Sequence, residues 1–597
     1  MAQTMSSLFS RLSLHTTLIV FQIVCNTSLA FNNMENDATI VSFDVIGPSL
    51  SYPPGGDFGK GVIDLGGLEV SESLYFKKIW NTHTNDSKGL GVSFYEPTSI
   101  PTGFHLIGHY CKPNSMEAIF ATVLIAKDTT GDPSQGALKS PIDYTLIWTS
   151  KGGSSDVSRR EDGYIWLPIP PDGYKSIGHI VTTSPEKPSL DKVRCVRSDF
   201  TDLTKVDKWI WGNSSSVLTL HTTKPKTSAL SVPSGMFLAQ NGSSAHDLAC
   251  LKMIKNDPYY FMPDYWQIKA MINSYAPWVY LHPDEQYFPS SVSWFFQNGI
   301  KLYQTGQTMP APVVNNGANL PTSGGPDDAF LDLPSDEYNK ERVKKGFLSN
   351  AVTYIHVKPA LGGTCTDLAI WLYYPFNGGG ELQLGPFTIN LGKIGEHVSD
   401  WEHITLRVGN FHGSLKAVYL SQHAKGVWLT PNEFELMSGS TRPVVYSSLH
   451  GHAHYSTPTS HIHMAGKLDS KEIQMLNHEF QKMNISPIVK GENLMGIGVR
   501  DEAAKSNNVI DIASSYNIIC IDHKQSDSEP WLDYTGRWGP KITYGFREEV
   551  MKIASKLPKL VGKLFIKVLQ KLPPELLGQE GPQGPKMKES WFGEERV

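Results

Sequence analysis

A short run of ionisable side chains in the second half of the chain has the residue types and spacing of a cation site. Residues Glu396–His403 read Glu-His-Val-Ser-Asp-Trp-Glu-His. Apolar and polar residues then alternate over 404–408, which is typical of a strand with one buried face. Asp400 and Glu402 share the parity of the apolar side chains, so both carboxylates should point inward. Buried carboxylates are costly unless hydrogen bonds or a cation satisfy them.

We therefore predict that His397, Asp400 and Glu402 bind one divalent cation, with a turn around the preceding glycine bringing the imidazole to the carboxylates. This oxygen-rich set suits Ca²⁺, Mg²⁺ or Mn²⁺. In the alternative interpretation the residues are structural: Trp401 packs in the core, and an arginine such as Arg407 neutralises Glu402. Arg407 has the opposite parity, so it is poorly placed for that role.

A second group of ionisable residues, all histidines, follows downstream. Its members are His450, His452, His454, His461 and His463. Alternation would put the first three on one face of a strand, and a Thr-Pro-Thr turn would return the last two beside them. Zinc requires three or four converging ligands, whereas histidine-rich strands also form polar surfaces. We favour the polar surface.

The chain carries no familiar enzyme signature. It lacks a GxSxG nucleophile motif, a phosphate-binding P-loop, an HExxH zinc motif and a nucleotide-binding GxGxxG. Its 597 residues, 19% of them charged, carry a net charge of −5, which excludes a disordered chain and a broadly basic nucleic-acid binder. No apolar run is long enough to cross a bilayer as a helix. We therefore predict no catalytic residues, no organic cofactor and no nucleic-acid partner.

The first half contains a threefold repeat. Ile-Trp occurs three times, and a P-x-G sequence follows each occurrence at a similar interval; the tryptophans are Trp80, Trp148 and Trp211, and the P-x-G prolines are Pro101, Pro171 and Pro233. The intervening runs are β-branched and aromatic and are broken by Gly and Pro, which favours strands. We predict that residues 45–260 form a β-prism of three units, with the tryptophans filling its pseudo-threefold axis.

The second half is predicted to be mainly β as well. A connector over 257–264 and a short helix over Tyr265–Ser274 lead into a β-sandwich-like domain that spans residues 265–545. Residues 546–597 form a basic amphipathic segment with a Gly/Pro-rich tail. Within that segment, Met551–Leu572 has six lysines and no acid. It predicts either docking on an anionic membrane surface or a helix packed on the second domain with its lysines in water.

The amino terminus has the features of a targeting segment. Arg11 precedes a mostly apolar stretch that ends at Cys25, and Ser28-Leu-Ala30 offers the small residues that signal peptidase reads. Residues 1–30 are therefore predicted to be a signal peptide or a disordered leader. A cleaved leader would place the protein in the endomembrane or secretory system.

Six segments of the chain match a plant family closely. The segments are 62–70, 100–104, 275–294, 397–403, 443–453 and 578–586. Over about residues 45–597 the chain resembles the plant vacuolar protein sorting-associated protein 62-like proteins, with Ser399 where the family usually has glycine. The H-x-x-D-W-E sequence is also similar to that of secreted necrosis-inducing proteins, a resemblance that implies a cytolysin-like β-sandwich and a cation bound by His397, Asp400 and Glu402. Those proteins carry a further Asp before the His, where this chain has Ile389.

Three classes of function are consistent with these features. The family resemblance, the repeat and the basic segment favour a non-enzymatic, membrane- or lipid-binding protein of vacuolar sorting, located on endomembranes or the vacuole. A metal-dependent hydrolase that uses the H-x-x-D-W-E site is the first alternative. A secreted cytolysin-like or glycan-binding protein is the second, and it requires the leader. The sequence identifies an anionic membrane surface as a partner but no protein partner, lipid or cargo.

Overall fold

The computed structural model is mainly β with a few short helices. It describes residues 40–42, 52–82, 91–114, 122–151, 162–212, 218–226, 230–242, 248–255, 257–385, 387–423, 425–464, 489–490, 493–494, 497–522, 529–541, 545–570, 572 and 581–593. The predicted leader, residues 1–30, lies outside this part. No helix in the described ranges is both long enough and apolar enough to cross a bilayer.

The strands of the first half are short, because Gly, Pro and Asn interrupt every β-branched run. They are β1 (Ile40–Ser42), β2 (Val62–Asp64), β3 (Leu68–Glu72), β4 (Tyr75–Asn81), β5 (Val92–Thr98), β6 (His105–Leu106), β7 (Tyr110–Pro113), β8 (Leu124–Asp128), β9 (Leu138–Lys139), β10 (Asp143–Thr149), β11 (Tyr164–Ile169), β12 (Tyr174–Lys175), β13 (Ile180–Thr182), β14 (Cys195–Arg197), β15 (Thr201–Gly212), β16 (Leu218–Pro225), β17 (Ser231–Val232), β18 (Phe237–Asn241) and β19 (Ala249–Lys252).

These strands form three similar units, which we call unit 1 (62–128), unit 2 (138–197) and unit 3 (201–252). Each unit has an antiparallel three-strand core, β4-β5-β7, β10-β11-β13 or β15-β16-β18. The register of the first strand shifts directly before Trp80, Trp148 and Trp211, so the isoleucine of each Ile-Trp pair lies at a β-bulge. The three tryptophans belong to one apolar cluster, in which the rings of Trp80 and Trp148 are 5.9 Å apart.

Hydrogen bonds join the units head to tail. In each case the donor is a backbone amide at the start of a unit's last strand or one residue before it. The acceptor is a backbone carbonyl at, or just after, the end of a short strand in another unit. The bonds run from Arg194 N to Leu106 O (2.8 Å), from Ala249 N to Ser176 O (3.0 Å) and from Leu124 N to Ser234 O (3.0 Å). Unit 2 thus bonds to unit 1, unit 3 to unit 2 and unit 1 to unit 3, which closes a ring.

The ring corrects the predicted alignment of the third unit. In units 1 and 2 the P-x-G sequence forms the turn that precedes β6 and β12, whereas in unit 3 Pro233–Gly235 follows β17. The ring hydrogen bonds instead align Gly108, Gly178 and Met236. These three meet where the units converge, since a Cβ added to Gly108 would lie 2.7 Å from Gly178 Cα and 2.9 Å from Met236 Sδ.

The second half contains longer strands and most of the helices. Its strands are β20 (Trp278–Tyr280), β21 (Lys301–Gln304), β22 (Ala311–Pro312), β23 (Ala329–Asp332), β24 (Thr353–Ala360), β25 (Cys365–Asn377), β26 (Glu381–Leu384), β27 (Phe387–Asn390), β28 (His397–Gly409), β29 (Ser414–Gln422), β30 (Lys425–Leu429), β31 (Val444–Ser447), β32 (His454–Tyr455), β33 (Ser460–Met464), β34 (Val489–Lys490), β35 (Asn493–Leu494), β36 (Ile497–Glu502), β37 (Val509–Asp511) and β38 (Tyr516–Ile521).

The helices are short and lie mostly at the edges of the sheets. The α-helices are α1 (Tyr265–Tyr275), α2 (Val292–Gln297), α3 (Glu337–Lys344), α4 (Phe546–Ser555), α5 (Lys559–Leu569) and α6 (Glu589–Phe592). Single 3-10 turns occur at Ser198–Phe200, Asn315–Gly317, Leu348–Asn350, Leu361–Gly363, Ile512–Ser514 and Pro585–Met587. Helix α1 begins at a capping box, in which Asp264 and Gln267 satisfy each other's backbone amides.

A six-stranded sheet in the order β30-β29-β28-β25-β24-β38 forms the centre of the second half. One face shares an apolar core with α1 and with strands β20, β31 and β37. The other face carries aromatic side chains, including Trp371 and Trp401, and packs against α2, β21 and β23. A second sheet, β27-β26-β36-β33, lies beside it. Both faces of the sheet are therefore buried along β25 and β28. Few positions on these two strands are left for ionisable side chains.

The basic segment forms two helices, α4 and α5, separated by Pro558. Their apolar side chains, including Val561 and Phe565, are buried against β26, β27 and β36. Lysines 552, 556, 559, 563 and 567 are exposed. The apolar face is thus covered by the protein itself, and the lysines form a basic surface.

Candidate functional site

A pocket of about 570 Å³ opens where β28 separates from β29. Pairing between these strands ends at Ile404 and Leu420, whereas β28 stays paired with β25 as far as His397. Beyond that point a side chain replaces the ladder, because His403 N donates to Ser421 Oγ at 3.1 Å. Strand β36 and residues 581–590 contribute further walls. The predicted residues His397, Asp400 and Glu402 all line this pocket.

Asp400 and Glu402 lie on the face of β28 that forms the apolar core. Their cross-strand neighbours on β25 are Tyr374 and Leu372, and both carboxyl groups are buried, with 8% and 7% of the residue surface exposed. Strand pairing fixes this orientation, because side chains of paired residues point to the same face. The inward direction predicted from parity is the one observed.

The two carboxylates have neutral or weakly basic partners. His452 Nδ1 is 3.0 Å from Asp400 Oδ2, and its ring stacks on Tyr374 with centroids 3.8 Å apart. Glu402 accepts a hydrogen bond from the Ser421 hydroxyl. Among the described residues, no lysine or arginine forms an ion pair with either carboxylate. Arg407 instead binds Asp367 through two hydrogen bonds of 2.9 and 2.8 Å.

Burial and mutual repulsion move the pKa values of Asp400 and Glu402 apart. Burial, reinforced by the charge of Asp400, raises the pKa of Glu402 to about 8. Burial also acts against ionisation of Asp400, but the hydrogen bond from His452 and the nearby His397 lower its pKa overall. Without a cation, Glu402 therefore retains a proton near neutral pH, as expected for two inward carboxyl groups.

His397 is held beside the carboxylates by an unusual backbone turn. Its Nδ1 is 2.7 Å from the carbonyl oxygen of Ser399, and Ser399 has a φ of +61°. The Ser399 hydroxyl donates to the carbonyl of Trp538 at 2.8 Å, which anchors the turn. Burial lowers the pKa of His397 and Asp400 partly offsets this effect, so its imidazole is neutral and able to bind a metal.

The residues present fit a cation, although the predicted ligands do not yet converge. In the described ranges, the sets of three donors within 4.8 Å of one another are His423–His463–Asp501 and His356–Cys520–Asp522. His397, Asp400 and Glu402 share the pocket without reaching that separation. A cation bound by all three would require these side chains to move, and the carboxyl groups of Asp400 and Glu402 would then supply the oxygen ligands that a hard cation prefers.

The histidine-rich segment does not form the polar surface that the sequence predicted. His450 and His452 lie in a turn, with φ values of +63° and +55°, and both His452 and His454 are buried. The histidines face several acids: His450 lies against Glu285, His452 lies between Asp400 and Glu285, and His463 lies against Asp501. The five histidines therefore do not converge on one zinc ion.

Sequence reasoning missed Glu285, His423 and Asp501. Asp501 shares the inward parity of Val499 on β36, so the argument that found Glu402 would also have found it. Glu285 lies in a loop, where its carboxylate accepts from the amide of His450 at 2.7 Å. Its burial would raise its pKa, but His450 and His452 lower it to about 2. No periodic signal marks a loop residue of this kind.

Comparison with known proteins identifies the family. The vacuolar protein sorting-associated protein 62 family matches residues 41–479 and 477–595. The chain belongs to this family. It is 23% identical over 285 residues to the putative vacuolar protein sorting-associated protein TDA6 of Saccharomyces cerevisiae, covering 39% of this chain and 58% of that protein. It is 30% identical over 155 residues to vacuolar protein sorting-associated protein 62 of the same yeast, covering 23% of this chain and 29% of that protein.

Solved structures give weaker likenesses. GNIP1Aa from Chromobacterium piscinae is 16% identical, with a TM-score of 0.27 over 35% of this chain and 40% of that protein. The structure of NLPPya in complex with glucosamine is 13% identical, with a TM-score of 0.19 over 32% of this chain and 67% of that protein. Likenesses at these scores support no conclusion about this chain.

Proposed function

We propose that this protein is a non-enzymatic, membrane-binding protein of vacuolar protein sorting, and that its pocket binds a divalent cation through His397, Asp400 and Glu402. The names of both yeast relatives refer to vacuolar protein sorting, which supports a role on endomembranes or the vacuole. The chain spans only 58% and 29% of those relatives. The cation and the membrane therefore have to be argued from this chain's own residues.

The observation that carries the proposal is a pair of buried acids with which no lysine or arginine of the described residues forms an ion pair. Asp400 and Glu402 occupy one strand face, and burial and the charge of Asp400 raise the pKa of Glu402 to about 8, although Lys588 and His423 act in the opposite direction. A hard divalent cation would neutralise both groups, with His397 and water completing its coordination. The Asp367–Arg407 pair on the neighbouring positions shows how the same sheet satisfies a buried acid when no ligand is required.

Two basic features favour an anionic membrane as the partner. Lysines 552, 556, 559, 563 and 567 on α4 and α5 face water, and exposed lysines attract acidic lipid surfaces. Lys425, Arg500 and Lys588 line the pocket beside the acids. A headgroup phosphate would bind there to the cation and to these side chains. As part of this proposal, we interpret the three units of the first half as a β-prism. We interpret the sheets of the second half as a β-sandwich-like domain.

Vesicle co-sedimentation of the full chain tests this function. Vesicles of phosphatidylcholine with phosphatidylserine should bind the protein in Ca²⁺, Mg²⁺ or Mn²⁺, and chelation should reduce binding at least several-fold. The double variant D400N/E402Q should bind equally with and without chelator. The control E337Q changes an exposed acid on α3 and should behave as the unaltered protein. Equal binding to phosphatidylcholine alone would overturn the proposal.

A metal-dependent hydrolase is the second candidate, because one observation favours it. The pocket of about 570 Å³ is large enough for a small-molecule substrate, and a cation held by Asp400 and Glu402 would activate a bound water beside it. Cation-dependent turnover of phosphate esters, carboxylate esters or glycosides, lost in E402Q, would establish this activity. A secreted, glycan-binding protein would require the leader, and detection of residues 1–30 on the mature protein would exclude it.

A further inference from the structure

We propose that His423, His463 and Asp501 bind a transition-metal ion of the zinc type at the edge of the pocket. Three separate elements bring these residues together. His423 follows the end of β29, His463 lies on β33, and Asp501 lies on β36, which is paired with β33. The site is distinct from His397, Asp400 and Glu402, and it does not depend on membrane binding.

The donor atoms already converge without a metal. His423 Nε2 is 2.8 Å and His463 Nε2 is 3.2 Å from the same oxygen, Asp501 Oδ2. All three donors lie within 4.8 Å of one another. The two imidazole rings are nearly perpendicular, at 88°, with centroids 5.2 Å apart. An ion inserted between the rings and the carboxylate needs only small side-chain rotations to be bound by all three.

The donor set indicates which ion binds. Two imidazole nitrogens and one carboxylate oxygen are the protein ligands of open zinc sites and of some iron sites. Calcium and magnesium prefer oxygen ligands, so they should favour Asp400 and Glu402. The two neighbouring sites are thus expected to differ in metal preference, and that difference separates them experimentally.

The surroundings resemble those of a metal centre with an open position. Asp501 is buried, with 6% of its side chain exposed, whereas His423 and His463 are 21% and 31% exposed. The Tyr455 hydroxyl donates to Asp501 Oδ2, which orients the carboxylate as outer-shell partners of metal ligands do. An ion bound here would have protein on one side and the pocket on the other, leaving room for water.

The backbone at His423 supplies an independent observation. Its φ is +57°, in the left-handed region that residues with a Cβ adopt infrequently. Conformations of this kind are concentrated at functional sites, where surrounding structure holds them. The His423 ring carried by this turn contacts Asp501 Oδ2. The rival account is a purely structural hydrogen-bond cluster of Asp501, Tyr455 and the two histidines.

The proposal is tested by titrating Zn²⁺ into the chelator-treated full chain and measuring binding by calorimetry. The unaltered protein should bind one equivalent of Zn²⁺ at this site and show a higher melting temperature. H463Q and H423Q should each weaken binding at least tenfold. The control H105Q, which alters a half-buried histidine on β6, should leave this zinc affinity unchanged.

Chemical protection supplies a readout that does not depend on folding of a variant. Diethyl pyrocarbonate should modify His463 in metal-free protein, and Zn²⁺ should protect it, as mapped by mass spectrometry. The proposal fails if Zn²⁺ does not protect His463. It also fails if folded H423Q/H463Q binds Zn²⁺ as tightly as the unaltered protein. Loss of zinc binding in D400N/E402Q alone would assign the metal to the other site.

Discussion

At the scale of single residues, the central sheet satisfies its buried acids in two ways. Asp367 is 1% exposed and is paired with Arg407 through two hydrogen bonds, an arrangement that fixes both groups. Asp400 and Glu402 lie further along the same strand pair, where the described residues that hydrogen-bond to their side chains are His452 and Ser421. The first acid is structurally complete, whereas we propose that a ligand completes the second pair.

Replacing Glu402 by Gln should abolish stabilisation by a divalent cation. Bound cations stabilise the folded state by mass action, by about 2.7 kcal/mol when free ligand is 100 times the dissociation constant. Thermal melts in chelator and after addition of Ca²⁺, Mg²⁺ or Mn²⁺ measure this shift, and elemental analysis identifies any copurified metal. The control E337Q should keep the shift. If no cation copurifies and none raises the melting temperature of the unaltered protein, the site is structural.

The same residues define how far the sequence could predict the site. The period-two pattern after Glu402 indicated which face Asp400 and Glu402 occupy, because a strand alternates strictly between faces. The pattern also argued against Arg407 as a partner. Parity on β36 would mark Asp501 as inward-facing, but no pattern could reveal that His423 lies beside it, since their proximity depends on strand pairings between distant segments. A left-handed turn at Ser399 or His423 has no reliable sequence signal when the residue is not glycine.

At the scale of strands and turns, the ring depends on the close approach of two glycines. Each Ile-Trp pair lies at a β-bulge in the first strand of a three-strand core, so the Ile-Trp repeat marks equivalent strands in the three units. The third P-x-G was misleading, since a three-residue turn sequence recurs easily in a chain rich in Gly and Pro. Strand register, and therefore the match of Gly108 with Gly178 and Met236, is set by hydrogen bonds between units.

Gly108→Ala should destabilise the first half by about 1–3 kcal/mol, the usual cost of overpacking. The added Cβ would lie 2.7 Å from Gly178 Cα and 2.9 Å from Met236 Sδ, and the Gly178 backbone cannot move aside as a flexible side chain could. Urea unfolding followed by tryptophan fluorescence measures the change. Gly325→Ala is the matched control, because its nearest new contact is at an ordinary 3.5 Å. An unchanged midpoint for Gly108→Ala would show that the units meet more loosely.

Acid should destabilise the first half through His109. Its Nδ1 accepts a hydrogen bond from Val181 N at 3.1 Å, which requires the neutral ring, and burial together with Lys192 lowers its pKa to about 3. The unfolded chain takes up this proton below about pH 6.5. Stability is therefore complete above that pH and falls, by up to about 1.4 kcal/mol per pH unit, as the pH drops toward the folded pKa.

Urea unfolding over this acidic range tests the effect. His109→Gln should flatten the dependence by about one proton. A slope that stays the same in His109→Gln would assign the acid sensitivity to other buried histidines. His454 is the leading alternative, since burial lowers its pKa to about 4.

At the scale of the whole molecule, the two halves are joined by specific polar contacts. Gly59 N and Gly61 N donate to the carbonyls of Asn410 and Phe411 at 2.9 and 2.7 Å. A buried ion pair between Glu72 and Lys416 also crosses the boundary. The basic surface of α4 and α5 is built on the second half, beside the sheet that carries Asp501. Charge is therefore unevenly distributed on a chain whose net charge is −5.

Replacing the six lysines of the basic segment by Gln should weaken binding to phosphatidylserine-containing vesicles. Each lysine near an anionic surface contributes about 1 kcal/mol, and added salt should reduce binding in the same direction. The control removes an equal charge from exposed positions in the first half: Lys77, Lys78, Lys175, Lys205, Lys208 and Lys226. Equal loss in both variants would mean that net charge alone determines binding. No loss would leave α4 and α5 as ordinary packed helices.

The closed ring of the first half also has a consequence for how the chain folds. The amide of Leu124 in unit 1 pairs with the carbonyl of Ser234 in unit 3, so the final hydrogen bond forms only after two further units are in place. Non-local closures of this kind are slow compared with hairpin formation. During that delay unit 1 would expose an unpaired strand end, which favours association between chains. Refolding of the first half should therefore be slow and sensitive to protein concentration, and truncation within unit 3 should yield aggregates rather than a smaller folded domain.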